Sequence, residues 1–110
     1  MTLEITVINA LEELKALNIS NLDVSSMTSV TDNMIIATGN SSVHLKAIAK
    51  NVVSQAKQHK TKPLGISEDR EWVLIDLGDV VVHVMTEQTR DYYQIDRFWG
   101  GDTPAITAIA

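Results

Sequence analysis

The chain reads as an α/β domain: a small β-sheet with helices packed mainly on one of its faces. Three observations predict this. Two segments repeat apolar residues at helical spacing, and several short apolar runs bounded by turn residues read as strands. The length of 110 residues suits one domain, so a two-domain enzyme is not expected. Apolar residues make up 45 % of the chain and charged residues 21 %, close to the globular average, which allows a single core and excludes wholesale disorder.

Val7, Ala10, Leu11, Leu14 and Leu17 recur at helical spacing, with Leu3 one turn earlier. Residues 3–17 are therefore expected to form an amphipathic helix, with Asn18 as its stop. The runs 21–25 and 33–38 are flanked by Ser, Thr, Asn and Asp and suit two strands, the second buried through Met34, Ile35 and Ile36. Gly39, Asn40, Ser41 and Ser42 end that strand and offer side-chain oxygens to cap a helix. Leu45, Ile48, Ala49, Val52, Val53 and Ala56 then form an apolar stripe at i, i+3, i+4, i+7, i+8 and i+11. This second helix is expected on the sheet, with Lys46, Lys50 and Lys57 on its outer side and Pro63 closing the segment.

The segment 71–85 carries the most information. Two apolar runs are separated by Gly78 and Asp79, a two-residue connection suited to a primed turn. If Leu77 faces Val80, the opposite pairs run Asp76 with Val81, Ile75 with Val82, Leu74 with His83, Val73 with Val84 and Trp72 with Met85. Strand alternation then separates the side chains. Val73, Ile75, Leu77, Val80, Val82 and Val84 make an aliphatic face that belongs against the helices. Trp72, Leu74, Asp76, Val81, His83 and Met85 make a mixed face, which suits either a partner surface or a sheet side covered by the C-terminal segment or a second copy of the chain.

All five aromatic residues lie between positions 72 and 99: Trp72, Tyr92, Tyr93, Phe98 and Trp99. Thr86 is expected to cap a short helix through about Gln94, leaving Arg90 and Asp91 exposed and folding Ile95 and Phe98 into the core. Tyr93 and Trp99 suit core and contact surface equally well. Residues 100–110 are expected to form a flexible tail beyond a single domain of residues 1–99.

Composition narrows the chemistry. Without cysteine there is no disulfide, thiolate nucleophile or cysteine-bound metal, which fits a reducing compartment. No apolar run approaches the roughly 20 residues that cross a bilayer, and a cytoplasmic domain is expected. The formal charge of −5 argues against direct grasp of nucleic acid, which needs a concentrated basic surface. The charge is uneven, however. Lys46, Lys50, Lys57, Lys60 and Lys62 form a basic middle, while nine carboxylates crowd residues 68–102.

Catalytic signals are weak. Asp76 and Asp79 are too poorly spaced to share a strand face, and Asp is ordinary in a turn. The Gly39 to Ser42 turn lacks the phosphate-loop and dinucleotide fingerprints, so helix capping accounts for it better than phosphate binding. His44, His59 and His83 are scattered, without a ligand pattern. Ser41 and Ser42 lack a nucleophile elbow.

Three ordered blocks carry a family likeness: Asp32 to Ser42, Glu71 to Met85, and Arg90 to Tyr93 continuing to Phe98 and Trp99. Over about residues 3–99 the chain resembles the ribosomal silencing factors, also called Iojap-related proteins. Val43 stands where the family often has arginine, and Tyr92, Ile95, Asp96 and Phe98 replace residues of similar character. The resemblance implies a small mixed sheet of nucleotidyltransferase-like topology without catalytic acids. It also implies a protein with no enzymatic role, metal or cofactor, which represses translation under nutrient limitation. Such a protein binds the large ribosomal subunit on its inter-subunit face, through large-subunit ribosomal protein fourteen, and blocks joining of the small subunit. Trp72 and Met85 would be its apolar contacts, with Asp76, His83, Arg90, Leu74 and Tyr93 as neighbours. Two other functions stay open: nucleotide binding or nucleotidyl transfer at the Gly39 to Ser42 turn with Asp76, and a homodimer that buries the Trp72 face.

Overall fold

The structure is a computed structural model that describes residues 2–99, with side chains described through Arg97. Its elements follow the order α1 (Leu3–Glu13), β1 (Leu17–Asp23), β2 (Asn33–Gly39), α2 (Ser42–Gln58), β3 (Gly65–Glu68), β4 (Trp72–Asp76), β5 (Val80–Thr86), α3 (Glu87–Tyr93) and α4 (Ile95–Trp99). The strands form one mixed sheet in the spatial order β1-β2-β5-β4-β3. Only the central pair, β2 and β5, is parallel, and its crossover contains α2 and the β3–β4 hairpin.

Both long helices begin at a hydroxyl cap. The Thr2 side chain accepts from the Ile5 amide at 3.2 Å, and the Ser41 Oγ accepts from the His44 amide at 3.1 Å, satisfying donors that a helix start leaves bare. Both end in the same closure. Lys15 and Lys60 adopt φ of 60° and 63°. The next amides, of Ala16 and Thr61, reach back to the carbonyls of Leu11 and Ala56. This closure explains why α1 stops at Glu13 rather than at residue 17: Leu17 is released from the helical stripe to open β1. Asn18, expected as the helix stop, instead takes φ 48° inside β1, where the pairing with β2 shifts register.

The aliphatic face meets α1 and α2 as alternation demands. Val73, Ile75, Val82 and Val84 are fully buried with Val7, Leu11, Leu45, Ile48 and Val52 in one continuous core. Each such side chain contributes about 1.5–3 kcal/mol when taken from water. Gly39 is required by contact. A Cβ there would lie 2.6 Å from the Leu45 Cδ2, itself locked in the core. Polar bonds join the two helices: Asn51 Nδ2 donates to the Ala10 carbonyl at 2.8 Å and to Glu13 Oε1 at 2.9 Å.

The hairpin register is the expected one at every position, from Asp76 opposite Val81 to Trp72 opposite Met85. Gly78 turns the chain with φ 90°, and its amide donates to Asp76 Oδ1 at 2.9 Å. Strand β3 was not expected. Its four residues are all exposed, so they carry no apolar alternation by which a sequence reading could find them. The expected flexible tail, residues 100–110, lies outside the described residues.

Candidate functional site

Thr86 ends β5 and caps α3 in one step: its Oγ1 accepts from the Thr89 amide at 3.3 Å. With no loop between strand and helix, the chain turns directly onto the helix-free side of the sheet. Gln94 at φ 53° then redirects it into α4. Ile95 consequently packs on Met34, Ile36, Met85 and Val24, a second small core flanked by Leu22 and Trp72.

This changes the standing of two expected contact residues. Met85 is 0 % exposed and His83 is 7 % exposed. The expectation of Met85 as an outward contact is therefore corrected: the C-terminal helical segment covers that half of the mixed face. Trp72 and Leu74 are half-buried on the same side of the sheet.

From Trp72 an aromatic ladder climbs to the surface. Its ring centroid lies 5.0 Å from that of Tyr93, which meets Tyr92 edge-on at 4.9 Å. Tyr93 is 47 % exposed and Tyr92 78 %, so the ladder ends in solvent. Beneath it, the Trp72 Nε1–H donates to His83 Nδ1 at 3.0 Å. An acceptor Nδ1 places the histidine proton on Nε2 and requires the neutral ring. Electrostatics agree: burial pulls the His83 pKa down to about 4, against the opposing pull of the Asp96 carboxylate. A shallow cleft of about 300 Å³ opens beside the ladder, with Asp69, Glu71 and Gln88 on its polar rim.

Arg90 is held by partners within the molecule. Its Nε and Nη2 grip Asp96 at 2.9 and 2.6 Å, while Nη1 donates to Thr38 Oγ1 at 2.9 Å and to the Asn18 carbonyl at 2.5 Å. Nη2 also reaches Ser20 Oγ at 3.0 Å. The fork is spent inside the molecule, fastening α3 to β1, β2 and α4, so its expected exposure is corrected as well. Although burial raises the Asp96 pKa, the hydrogen bonds and charge of Arg90 outweigh it and hold the carboxyl below its ordinary value.

Of the rival catalytic residues, Asp76 and His44 spend their side chains on local bonds, while Asp79 and His59 serve through the backbone. Asp76 accepts the turn amide of Gly78, and the Asp79 carbonyl receives the amides of Asp32 and Asn33. His44 joins the two helices, its Nδ1 accepting from the Asn40 amide and its Nε2 lying 2.7 Å from the Leu14 carbonyl. His59 is the C-terminal cap residue of α2. Among the described residues, no group of three or more His, Asp or Glu side chains is placed to hold a metal ion. None of the helices there is long and apolar enough to cross a membrane.

Of the seven expected site residues, the structure gathers Trp72, Tyr93 and His83 in one stack and sets Leu74 and Asp76 farther along the same sheet face. It seals Met85 and commits Arg90 internally. Tyr92, absent from the expected set, is the most exposed ring of the ladder. Its signal was adjacency to Tyr93 at the exposed end of a short helix. Phe98 and Trp99 lie outside the described side chains.

Fold and site together define a small α/β domain whose chemically distinct surface is an aromatic ladder over a buried histidine. The family model "ribosomal silencing factor during starvation" matches residues 2–109. The ribosomal silencing factor of Chromobacterium violaceum is 46 % identical over 105 residues, covering 94 % of this chain and 86 % of that protein. A crystal structure of a protein from the same organism superimposes with a TM-score of 0.87 at 43 % identity, covering 96 % of this chain and 89 % of the other. A mouse protein named for mitochondrial assembly of the ribosomal large subunit is 28 % identical over 97 residues, covering 84 % of this chain and 42 % of the mouse protein. The chain belongs to the ribosomal silencing factor family.

Proposed function

We propose that this protein represses translation by occupying the inter-subunit face of the large ribosomal subunit, through large-subunit ribosomal protein fourteen, and so obstructing entry of the small subunit. The observation that carries the reading is the Trp72–Tyr93–Tyr92 ladder. It presents aromatic surface at the rim of an otherwise acidic domain, where a basic ribosomal protein finds both apolar anchors and carboxylates such as Asp69 and Glu71. The name of the mouse relative supports a large-subunit target, and family membership supports silencing.

Repression by this route needs occupancy and no bond-making step. An interface of about 800 Å² on each partner is standard for stable association. Leu74 and Asp76 extend the contact along β4, while His83 and Met85 hold Trp72 from below and Arg90 holds the helix that bears the tyrosines. The protein would work in the cytoplasm, where ribosomal subunits meet.

The test is sedimentation of purified subunits with the protein through a sucrose gradient. The wild type is expected to travel with large subunits and to reduce the joined particle. Tyr92→Ala with Tyr93→Ala is expected to lose both effects while the far-ultraviolet circular dichroism stays native. Native co-sedimentation by that folded double variant would defeat the assignment of the ladder.

A further inference from the structure

At the opposite edge of the sheet from β1, no strand among the described residues pairs with the outer side of β3. The pairing fixes which backbone groups face out. The Asp69 amide donates to the Trp72 carbonyl at 2.9 Å, so the odd-numbered residues of β3 bond to β4, and alternation turns the N–H and C=O of Ile66 and Glu68 toward solvent. Natural edges are often blunted by shortness, charge, proline, a bulge or a covering element, and β3, at 4 residues, is short. Here Leu64 and Ile66 are 75 % and 49 % exposed along the edge.

Beside this edge runs a groove of about 360 Å³ between β3 and α2, floored by Ala49, Val53 and Ile66 and walled by Lys46, Lys50 and Glu68. Neither lysine has an ion-pair partner among the described residues. Arg70 adds a third cation at the end of the groove, near Lys46, where Glu68 and Asp69 also lie. On a chain of net charge −5, these cations beside an open strand edge are a local reversal of sign.

We propose that β3 and the adjoining face of α2 form a second docking site, which captures an extended acidic peptide segment as an additional antiparallel or parallel strand. Backbone groups of Ile66 and Glu68 supply the hydrogen bonds. Aliphatic side chains of the segment lie on Ala49, Val53 and Ile66, and its carboxylates meet the ammonium groups of Lys46 and Lys50, whose stems line the groove. The occupant is a peptide rather than RNA, because an open strand edge offers in-line amides and carbonyls that a sugar-phosphate chain does not match. This site lies at the β3 edge and is built from other residues than the tyrosines of α3, the two surfaces meeting at Asp69.

The probe is a fluorescein-labelled octapeptide alternating valine with aspartate, measured by fluorescence anisotropy on the whole protein. A lysine–valine octapeptide and a uridine decamer serve as comparisons. Saturable binding of the acidic peptide is expected, weakening as salt rises. The charge reversal Lys46→Glu with Lys50→Glu should weaken it on the order of tenfold or more. Ile66→Pro removes an outward amide that β4 does not use, so it should abolish binding while thermal unfolding stays cooperative. Ile66→Val keeps that amide and should retain binding, which separates the backbone role from lost side-chain area. Equal binding of both octapeptides, tighter binding of the uridine decamer that the lysine variant loses, or unchanged binding by folded Ile66→Pro would each overturn the proposal.

Discussion

The two faces of the same hairpin differ in how they are covered. Behind it, α1 and α2 lay long apolar stripes across aliphatic strand residues in one continuous core. In front, two short helices cover a smaller patch, and their hold depends on polar devices: the Thr86 cap, the Trp72–His83 bond and the Arg90 fork. A large apolar contact tolerates the loss of one bond, whereas a small one needs directional bonds to fix its position. The difference explains why the front, and not the back, can present aromatic rings at the surface without losing order.

Breaking the back should cost most. Ile48→Ala empties a fully buried site in the main core and should lower stability by about 2–5 kcal/mol in urea titration. In front, Arg90→Ala removes the fork that joins Asp96, Thr38, Ser20 and the Asn18 carbonyl and should cost about 1–3 kcal/mol, since the Asp96 side chain is 35 % exposed and water replaces part of the loss. Its signature would be loss of amide protection in α3 and α4 ahead of the main core by hydrogen exchange. Acid acts on the same side. Because the folded His83 pKa is about 4 against an ordinary 6.5, the unfolded chain gains a proton first as pH falls. Stability supplied by the neutral ring is complete above 6.5 and drains away between 6.5 and 4, by up to about 1.4 kcal/mol per pH unit. His83→Gln should flatten that part of the pH–stability curve. The Asp96 contribution runs the same way but is lost lower, as pH falls through its depressed value. The smallest effect belongs to Tyr92→Ala, which should change stability by no more than about 0.5 kcal/mol because its ring is mostly in water.

The back of the sheet was legible in the sequence because it obeys periodicity. Two helical stripes and one alternating hairpin say which residues meet, and the pairs from Trp72 with Met85 to Asp76 with Val81 follow from one turn. The front was legible only in composition. Its mixed residues suited a partner surface or an intramolecular cover; the structure shows the cover, with Ile95 over Met85, and leaves Tyr92 and Tyr93 exposed. No local pattern distinguishes an arginine that faces solvent from one bonded to residues 18, 20, 38 and 96, since those partners converge only after folding. Strand β3 escaped for the opposite reason, being exposed on every residue and identified by its backbone pairing alone. The premature end of α1 depended on Lys15 entering the left-handed region, which a lysine does not advertise.

The bonds from Arg90 to Ser20 and to Asn18 bridge 70 and 72 positions of sequence. During synthesis, residues 18 and 20 leave the ribosome long before residue 90, and the guanidinium finds them only once residue 90 has emerged. A nascent chain halted short of that point holds the β1 edge without the helix that Arg90 fastens to it. The tyrosine-bearing helix is thereby fastened to β1 only after that much more of the chain has been made.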